Sequence, residues 1–355
     1  MDRTDSLRHE HALSAREREI LRLVVQRFIH TAAPVGSKTL ADEAELDLSS
    51  ASIRNTMSTL EAQGFLGHPH TSAGRVPTEQ GYRLYVDELM DVSGLTPTEA
   101  TLLRHGVERR LGDLNAVARE TSRLLGRLTQ LLGVVLAPRL ATGVLERLDV
   151  VPLSSTRVMF ILTVRGGLAR TVIAEMDSEV PAHGLDPIVQ RLNERLAGLT
   201  LDEIRATGAE RLQDLDADDR TGIVRIVVRD ATVLFSEADE ARRASVGGAQ
   251  HLVGQPEFRE PEEVKNVVEL VENEAVVVHL LERPAVFDPA HPDRAVVLIG
   301  QELDDESATY SVVKAQYHVG ENTGTVGVIG PTRMDYARAV ALVQHVASLL
   351  SRPDA

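Results

Sequence analysis

The first ninety residues contain three short amphipathic segments in close succession, and this spacing limits the possible folds more than any other feature. The first segment follows a Ser14–Glu17 pair, which predicts a helical capping box. Pro34 ends that helix, and Ser37 begins a second, shorter one. The apolar side of the first helix recurs at helical spacing and consists of Ile20, Leu21, Val24, Val25 and Phe28.

The third segment begins at Ser49 or Ser50, since either serine fits an amino-terminal cap, and Gly64 ends it. A tight turn joins it to the second helix, so the segments predict a helix-turn-helix. Two extended stretches around the polar loop from His68 to Arg75 then predict a β-hairpin, and the whole predicts a winged helix. The inward side of the third helix is Ile53, Met57 and Leu60.

The outward side of the third helix carries short polar side chains and one long basic one. Short side chains let a helix enter the major groove, and serine hydroxyls and helix amino termini bind phosphate. Arginine pairs with guanine and asparagine with adenine, while the loop offers groups for flanking phosphates or the minor groove. We therefore predict DNA contacts by Ser49, Ser50, Ser52, Arg54, Asn55 and Ser58 on the helix and by His70, Thr71, Ser72 and Arg75 on the loop.

Two other interpretations of this unit stay open at this point. Some winged helices bind only proteins, and such a module would show no salt-dependent binding to a duplex. His68 and His70 would be a possible metal site, but histidines two apart in a loop are usually exposed to solvent. We predict no metal and no cofactor.

Composition excludes several classes of function. The net charge of −15 argues against a general nucleic-acid binder, although residues 1–90 have a net charge of only −3 and the rest −12. The chain has no cysteine, which excludes disulfides, thiolate metal sites and a cysteine nucleophile. The amino terminus has no apolar run of the signal-peptide type, and no stretch is long enough to span a membrane. We expect a soluble, cytoplasmic protein.

The remaining chain predicts an α+β architecture. Residues 91–98, DVSGLTPT, are rich in turn formers and mark a domain boundary, and apolar residues recur at helical spacing from about 98 to 132. Three β-branched stretches within 143–176 predict antiparallel strands, and helices are predicted within 180–220. Three further strands are predicted within 295–330, and Pro331 is expected in the first turn of a last helix.

Catalytic motifs are missing from the sequence. It contains no GxxxxGK[ST], no HExxH and no GxSxG. Acidic pairs such as Asp218–Asp219 and Asp304–Asp305 lie in polar contexts typical of solvated surfaces. The sequence therefore predicts a protein that is not an enzyme.

Several stretches resemble one family, the HrcA class of heat-inducible transcription repressors. In the first ninety residues these are IRNTMSTLEAQGFL (53–66), PHTSAGRVPT (69–78) and GYRLYVDELM (81–90). Near the carboxy terminus, GQPEF (254–258) and GPTRMDYARAV (330–340) resemble the family's signatures. Gln301-Glu302-Leu303 departs from the pattern, because Glu and Asn commonly follow the Ile-Gly there.

The resemblance implies a multidomain α+β fold. Residues 1–90 would form the winged helix-turn-helix domain with a stem helix from Thr78 to Met90. Residues 98–177 and 249–350 would form a GAF-like domain, and 178–248 an inserted dimerising segment.

The resemblance also implies a function. The protein would repress heat-shock chaperone operons of the groE and dnaK type by binding double-stranded DNA at an inverted-repeat operator as a homodimer. It would release the operator on heat stress, and the GroE chaperonin would keep it active. The alternative is a ligand-responsive winged-helix regulator that senses a small molecule through the GAF-like domain. Such a regulator would release DNA on addition of a metabolite at constant temperature.

Overall fold

A computed structural model gives the structure of the chain. It describes residues 13–351 except 44–47, 69–73, 93, 109–113, 139–142, 167–168, 177–184, 217–218, 236–243, 286, 288–290, 292–293, 305–306 and 321. The chain divides by its contacts into two units, and both are discontinuous in sequence. The first comprises Met1–Val134, Val246–Ala315 and Val326–Val346, and the second Val135–Ser245, Gln316–Thr325 and Ala347–Ala355.

The first unit begins with the predicted helices, α1 (Ala15–Thr31), α2 (Ser37–Glu43) and α3 (Ser50–Ala62). The capping box is confirmed, because Ser14 Oγ accepts a bond from Glu17 N at 3.3 Å and Glu17 Oε2 accepts one from Ser14 N at 2.8 Å. Helices α1 and α3 pack together through residues that are at most 3% exposed: Ile20, Leu21, Val24, Val25, Ile53, Met57 and Leu60. Phe28, expected on the same side, is only partly buried.

A small hairpin follows α3. Its strands are β1 (Leu66–Gly67) and β2 (Val76–Pro77), which pair antiparallel. Arg75 also exchanges two backbone hydrogen bonds with Val35, at 2.8 and 2.9 Å. Gly74 has φ +125°, and a Cβ there would lie 2.7 Å from the Val35 carbonyl oxygen, so this close approach requires glycine.

The predicted stem helix is present. Thr78 caps helix α4 (Glu79–Leu84), which continues into a π-helical turn over Tyr85–Leu89. The helical stretch expected from 98 to 132 is occupied by α5 (Pro97–Glu108) and α6 (Leu114–Thr129). It ends in strand β3 (Leu132–Leu136), in which every residue is buried.

The second unit contains a sheet covered by helices on one face. Strands β4 (Leu145–Pro152), β5 (Arg157–Val164) and β6 (Ala169–Glu175) pair antiparallel in that order, as predicted. The helices are α7 (Asp186–Leu196), α8 (Leu201–Asp216), α9 (Ile223–Arg229) and α10 (Ala231–Leu234). Leu148, Phe160 and Leu162 of the sheet share one apolar core with Leu192, Ile204 and Val227 of the helices.

A single amide side chain fixes the position of α7 on this sheet. Asn193 Oδ1 accepts a bond from Leu148 N at 2.7 Å, and Nδ2 donates to Leu148 O at 2.8 Å. The insertion predicted at 178–248 covers these helices. The three strands, which the sequence places in the GAF-like domain, make their contacts with the helices and lie in the same unit.

Five strands, whose residues lie mostly in the first unit, form another sheet. After β7 (Ala244–Gly247) come β8 (Val296–Ile299), β9 (Tyr310–Val319) and β10 (Asn322–Pro331), and the order is β7-β3-β10-β9-β8. The last three are the strands predicted within 295–330. Strands β3 and β7 were not predicted, because neither alternates between buried and exposed residues.

The helices around this sheet complete the first unit. They are α11 (Ala249–Val253), α12 (Pro261–Glu272), α13 (Glu274–Glu282) and α14 (Tyr336–Leu350). The expectation that Pro331 opens the last helix is wrong, because β10 extends to Pro331. Helix α14 begins five residues later, where the Asp335 carboxylate accepts a bond from Arg338 N at 3.0 Å.

A buried lysine ties β9 to the end of α13. Lys314 is 1% exposed, and its Nζ donates to the carbonyls of Leu281 at 2.8 Å and Arg283 at 2.5 Å. Burial lowers the pKa of Lys314 to about 8. The ammonium group satisfies carbonyls at a helix carboxy terminus, where a positive charge is favourable.

In the part of the chain that the structure describes, no helix is both long enough and apolar enough to cross a membrane.

Glycines bring α6 and β7 into backbone contact, and this contact gives a test of the first unit. A Cβ on Gly126 would lie 2.5 Å from the Gly247 oxygen and 2.8 Å from Gly248 Cα. We expect Gly126→Ala to destabilise the protein by about 1–3 kcal/mol, because backbone has to move apart. Thermal unfolding followed by circular dichroism measures this.

Gly208→Ala in α8 is the matched control. Its new Cβ would meet only Ile204 Cγ2, at 3.5 Å, which is an ordinary contact. Alanine favours a helix interior by about 1 kcal/mol over glycine, so this variant should be as stable as wild type or more so. Equal destabilisation by both substitutions would refute the close contact at Gly126.

Candidate nucleic-acid interface

One face of α3 is buried and the opposite face is open to solvent. Ile53 and Leu60 are 0% exposed and Met57 is 3% exposed, and all three point into the core with α1. The other side is exposed and presents Ser49, Ser50, Ala51, Arg54, Asn55, Ser58 and Thr59. We call this exposed side the α3 face. Burial of the apolar stripe fixes the rotation of the helix, and hence which residues lie on the α3 face.

The amino terminus of α3 is capped by one of the predicted contact residues. Ser49 Oγ accepts a bond from Ser52 N at 3.2 Å, so Ser49 settles the choice between Ser49 and Ser50 as cap. Ser52 is half buried, and its carbonyl accepts a bond from Thr56 Oγ1 at 3.2 Å. Ser50, in contrast, lies exposed at the first helical position, where backbone NH groups point outwards.

Arg54 and Asn55 lie side by side on the α3 face. Among the residues that the structure describes, Arg54 has no hydrogen-bond or ion-pair partner, and the Asn55 side chain has none either. An arginine on a protein surface commonly pairs with a nearby carboxylate. Here both side chains stay available for a ligand, and their donors and acceptors match the base edges of a duplex.

Arg75 lies beside the hairpin and is held by other side chains. Its Nη2 contacts Glu61 Oε2 at 2.7 Å, its Nη1 contacts His68 Nδ1 at 3.1 Å, and its side chain is 19% exposed. His68 Nε2 in turn contacts Glu61 Oε1 at 2.9 Å. The three side chains form a closed triangle between the last turn of α3 and the hairpin, and we call it the wing triangle.

The wing triangle fixes the histidine tautomer. An arginine nitrogen can only donate, so His68 Nδ1 accepts from Arg75 Nη1. His68 Nε2 therefore carries the proton and donates to Glu61 Oε1. Sequence reasoning placed Arg75 and His68 in the loop but missed Glu61. The sequence shows Glu61 only as an acidic residue in the last turn of the helix. The hairpin register is needed to show that Glu61 faces Arg75.

The structure brings together only part of the predicted set. Ser49, Ser50, Arg54, Asn55 and Ser58 share the α3 face, Ser52 is half buried, and Arg75 belongs to the wing triangle. His70, Thr71 and Ser72 lie outside the described residues. Within the described ranges, no group of three or more His, Asp or Glu side chains is arranged to hold a metal ion.

The chain resembles known proteins along almost its whole length. A family model described as the HrcA protein C terminal domain matches residues 115–340. A heat-inducible transcription repressor HrcA from Prosthecochloris aestuarii is 40% identical over 347 residues, which is 96% of this chain and 97% of that protein. One from Chlorobaculum parvum is 40% identical over 346 residues, again 96% of this chain and 97% of that protein.

The chain belongs to the HrcA family. The resemblance seen in the sequence motifs is thereby confirmed. HrcA relatives are transcription repressors, so the family is one of regulators and not of enzymes, and repression of transcription implies DNA binding.

A solved structure supports the fold. The crystal structure of a hypothetical protein is similar to this chain with a TM-score of 0.63 at 23% sequence identity. The likeness covers 96% of this chain and 98% of that one. The mixed α and β multidomain architecture is therefore shared.

The wing triangle predicts an effect of unusual sign. Removing a carboxylate near DNA normally strengthens binding, because it removes repulsion from phosphates. If Glu61 instead holds the hairpin, Glu61→Gln should weaken binding to every duplex by about 1 kcal/mol, or roughly fivefold. Fluorescence anisotropy with labelled promoter DNA measures the change.

Glu79→Gln is a suitable control, because this acid is the first residue of α4 and is outside the wing triangle. Its effect on affinity should be small or slightly favourable. Tighter binding by the Glu61 variant would show that the carboxylate acts only through its charge and not through the hairpin.

Proposed function

We propose that the first ninety residues form a winged-helix DNA-binding domain in which the α3 face enters the major groove. The observation that supports this most is the Arg54–Asn55 pair, whose side chains have no partner among the described residues, on a helix whose other side is buried in the core. Short neighbours, Ser50, Ala51 and Ser58, leave room for the helix to approach base edges. Family membership supports the same proposal, because HrcA relatives repress transcription.

The remaining predicted residues have stated roles in this proposal. Ser49 and Ser50 place the helix amino terminus, with its free NH groups, against a phosphate. His70, Thr71, Ser72 and Arg75 would contact flanking phosphates or the minor groove. The wing triangle gives Arg75 a second task, which is to hold the hairpin against α3 while its exposed edge faces DNA.

We infer that the working form is a homodimer on an inverted-repeat operator. One winged helix gives few base contacts, whereas a second copy tethered to the first binds at high effective concentration. Two-fold symmetry of the protein then matches the symmetry of the operator, with half-sites about 10–10.5 base pairs apart or a multiple of that distance.

The second unit offers a surface suited to such a dimer. The sheet face turned away from its helices exposes apolar side chains: Val151 is 38%, Leu153 48% and Ile173 51% exposed. Val151 and Ile173 both pair with Met159 of the central strand. Val151, Met159 and Ile173 therefore lie in one row across the sheet. Continuous apolar surface of this kind marks protein contacts. We propose that residues 145–234 act as the dimerising insertion and that the five-stranded sheet with its helices is the GAF-like domain.

We further propose that the operator controls chaperone operons of the groE and dnaK type and is released on heat stress. Relatives are named heat-inducible, which supports this assignment. Loss of about 2 kcal/mol of binding free energy lowers affinity roughly thirtyfold, so a modest loss of order in the dimer is sufficient. The GroE chaperonin would maintain the active form, and the repressor would act in the cytoplasm, where the chromosome lies.

The base-reading role of Arg54 gives the direct test. Arg54→Ala should cost about 1–3 kcal/mol in operator binding and relax base preference at one position of the site. Anisotropy titrations against a panel of operators with single base changes measure both effects. Arg16→Ala removes the same charge from an exposed position on α1 and should leave base preference intact. Identical preference in the Arg54 variant and wild type would exclude the role.

The dimer surface has its own test. Ile173→Glu places a charge in the apolar row and should give monomers in sedimentation velocity, with operator affinity reduced by about a hundredfold as the second copy is lost. Val233→Glu is the control, since Val233 is 58% exposed but lies on α10, in the helical layer. Dissociation by the control and not by Ile173→Glu would place the interface on the helices.

A further inference from the structure

Two sequence signatures that the DNA contacts do not explain meet in the structure. Arg333, from the stretch 330–340, is 9% exposed and forms a two-pronged ion pair with Glu257, from the stretch 254–258. Nε lies 2.5 Å from Glu257 Oε1 and Nη2 lies 3.0 Å from Oε2. Nη2 also donates to Gln255 Oε1 at 3.0 Å. Paired contacts of this type fix the plane of the guanidinium group.

The remaining nitrogen of Arg333 reaches the DNA-binding domain. Nη1 donates to the carbonyl oxygen of Ile29, in the last turn of α1, at 2.5 Å. The last carbonyls of a helix lack partners within the helix and carry its negative pole. The neighbouring Phe28 carbonyl is satisfied locally by Ala32 N, at 2.8 Å. Ile29 is therefore capped by a residue 304 positions further along the chain.

The stem helix is held to the same part of the protein. Arg83 donates from Nε and Nη2 to the two carboxylate oxygens of Glu302, at 2.9 and 2.6 Å, and from Nη2 to the carbonyl of Val297 at 2.9 Å. The ring of Tyr82 lies 5.8 Å from that of Tyr336, between centroids. All of these residues belong to the first unit.

These contacts attach the first ninety residues rigidly to the rest of the first unit. We call the contacts of Arg333, Tyr82 and Arg83 together the mount. α1 is held at its carboxy-terminal end, and α4 is held by Tyr82 and Arg83, so one helix before α3 and the helix after it both have fixed attachments. Arg333 is buried and paired and therefore has a single geometry, because any rotation leaves charged donors unpaired. The direction of α3 relative to the five-stranded sheet is therefore set by the attachments.

We propose that Arg333 and Glu257 are positioning residues that set the direction of the α3 face, and that the mount thereby selects the spacing of operator half-sites. The inference rests on the proposed binding of an inverted repeat by a dimer. A rigid mount lets both α3 faces reach DNA only at one separation and phase. A loose mount tolerates other spacings but loses the benefit of the tethered second copy.

The test compares three labelled duplexes in anisotropy titrations of the full-length protein. They are the host's chaperone-promoter inverted repeat, the same repeat with five added base pairs between half-sites, and a single half-site. Five added base pairs rotate one half-site relative to the other by about half a turn of the DNA helix. Wild type should prefer the native spacing by about a hundredfold.

Arg333→Met should leave half-site affinity within about twofold of wild type. Its affinity for the native repeat should fall about tenfold. Its preference for the native repeat over the lengthened one should fall by the same factor. Glu257→Gln, which keeps the shape of the side chain, should act in the same direction. Arg333→Lys should retain part of the preference, because lysine keeps the charge but lacks the planar guanidinium group that reaches three partner residues.

Arg283→Met is the matched control. Arg283 also pairs with a carboxylate, Asp304, at 2.6 Å, and no bond joins it to the first ninety residues in the part of the chain described. This variant should keep the spacing preference of wild type.

An unchanged spacing preference in both the Arg333→Met and Glu257→Gln variants would overturn the inference. Equal loss on all three duplexes would also overturn it, since the contact would then support folding of the DNA-binding domain and not its direction. Failure of wild type to bind any of the duplexes would instead refute the proposed function.

Discussion

The arrangement of the proposed DNA-binding domain depends on the burial of one stripe of α3 against α1. Ile53, Met57 and Leu60 are at most 3% exposed, so their burial fixes how the helix is rotated. Everything on the opposite side follows from that rotation. Arg54 and Asn55 are exposed because they lie between buried positions of the helical repeat, and not because a local motif places them there. The wing triangle then uses Glu61 at the far end of the same helix to place the hairpin.

The charge distribution is consistent with a buried and an exposed side of α3. The protein has a net charge of −15, yet the α3 face carries an exposed arginine, and Glu61, the acid on α3 next to the hairpin, is neutralised by Arg75. An acidic body repels the polyanion except where the local field permits approach. In the proposed function, this charge distribution favours specificity over general affinity. The acidic body opposes weak contact with random DNA.

Local features of the fold could be predicted from the sequence, whereas distant pairings could not. The Ser14–Glu17 box and the three strands of 145–175 depend on residues close in sequence, and the structure shows them as predicted. Strand β3 was not predicted because all five of its residues are buried. It therefore lacks the alternation of apolar and polar residues that identifies a strand. Pro331 suggested a helix start because proline suits a first turn, but the strand pairing of β10 outweighs that preference. No local pattern connects Arg333 with Ile29 or Glu61 with Arg75, since each pair requires the fold to be known first.

The separation between Ile29 and Arg333 has a consequence for how the protein is made. A ribosome adding about 5–20 residues per second needs about 15–60 s to synthesise the 304 intervening positions. During that time α1 lacks its distant cap, and the five-stranded sheet lacks its closing strands. Contacts this far apart in sequence form slowly, and the waiting chain exposes apolar surface. The contact between Arg333 and Ile29 therefore forms only after the last strands of the chain have been synthesised.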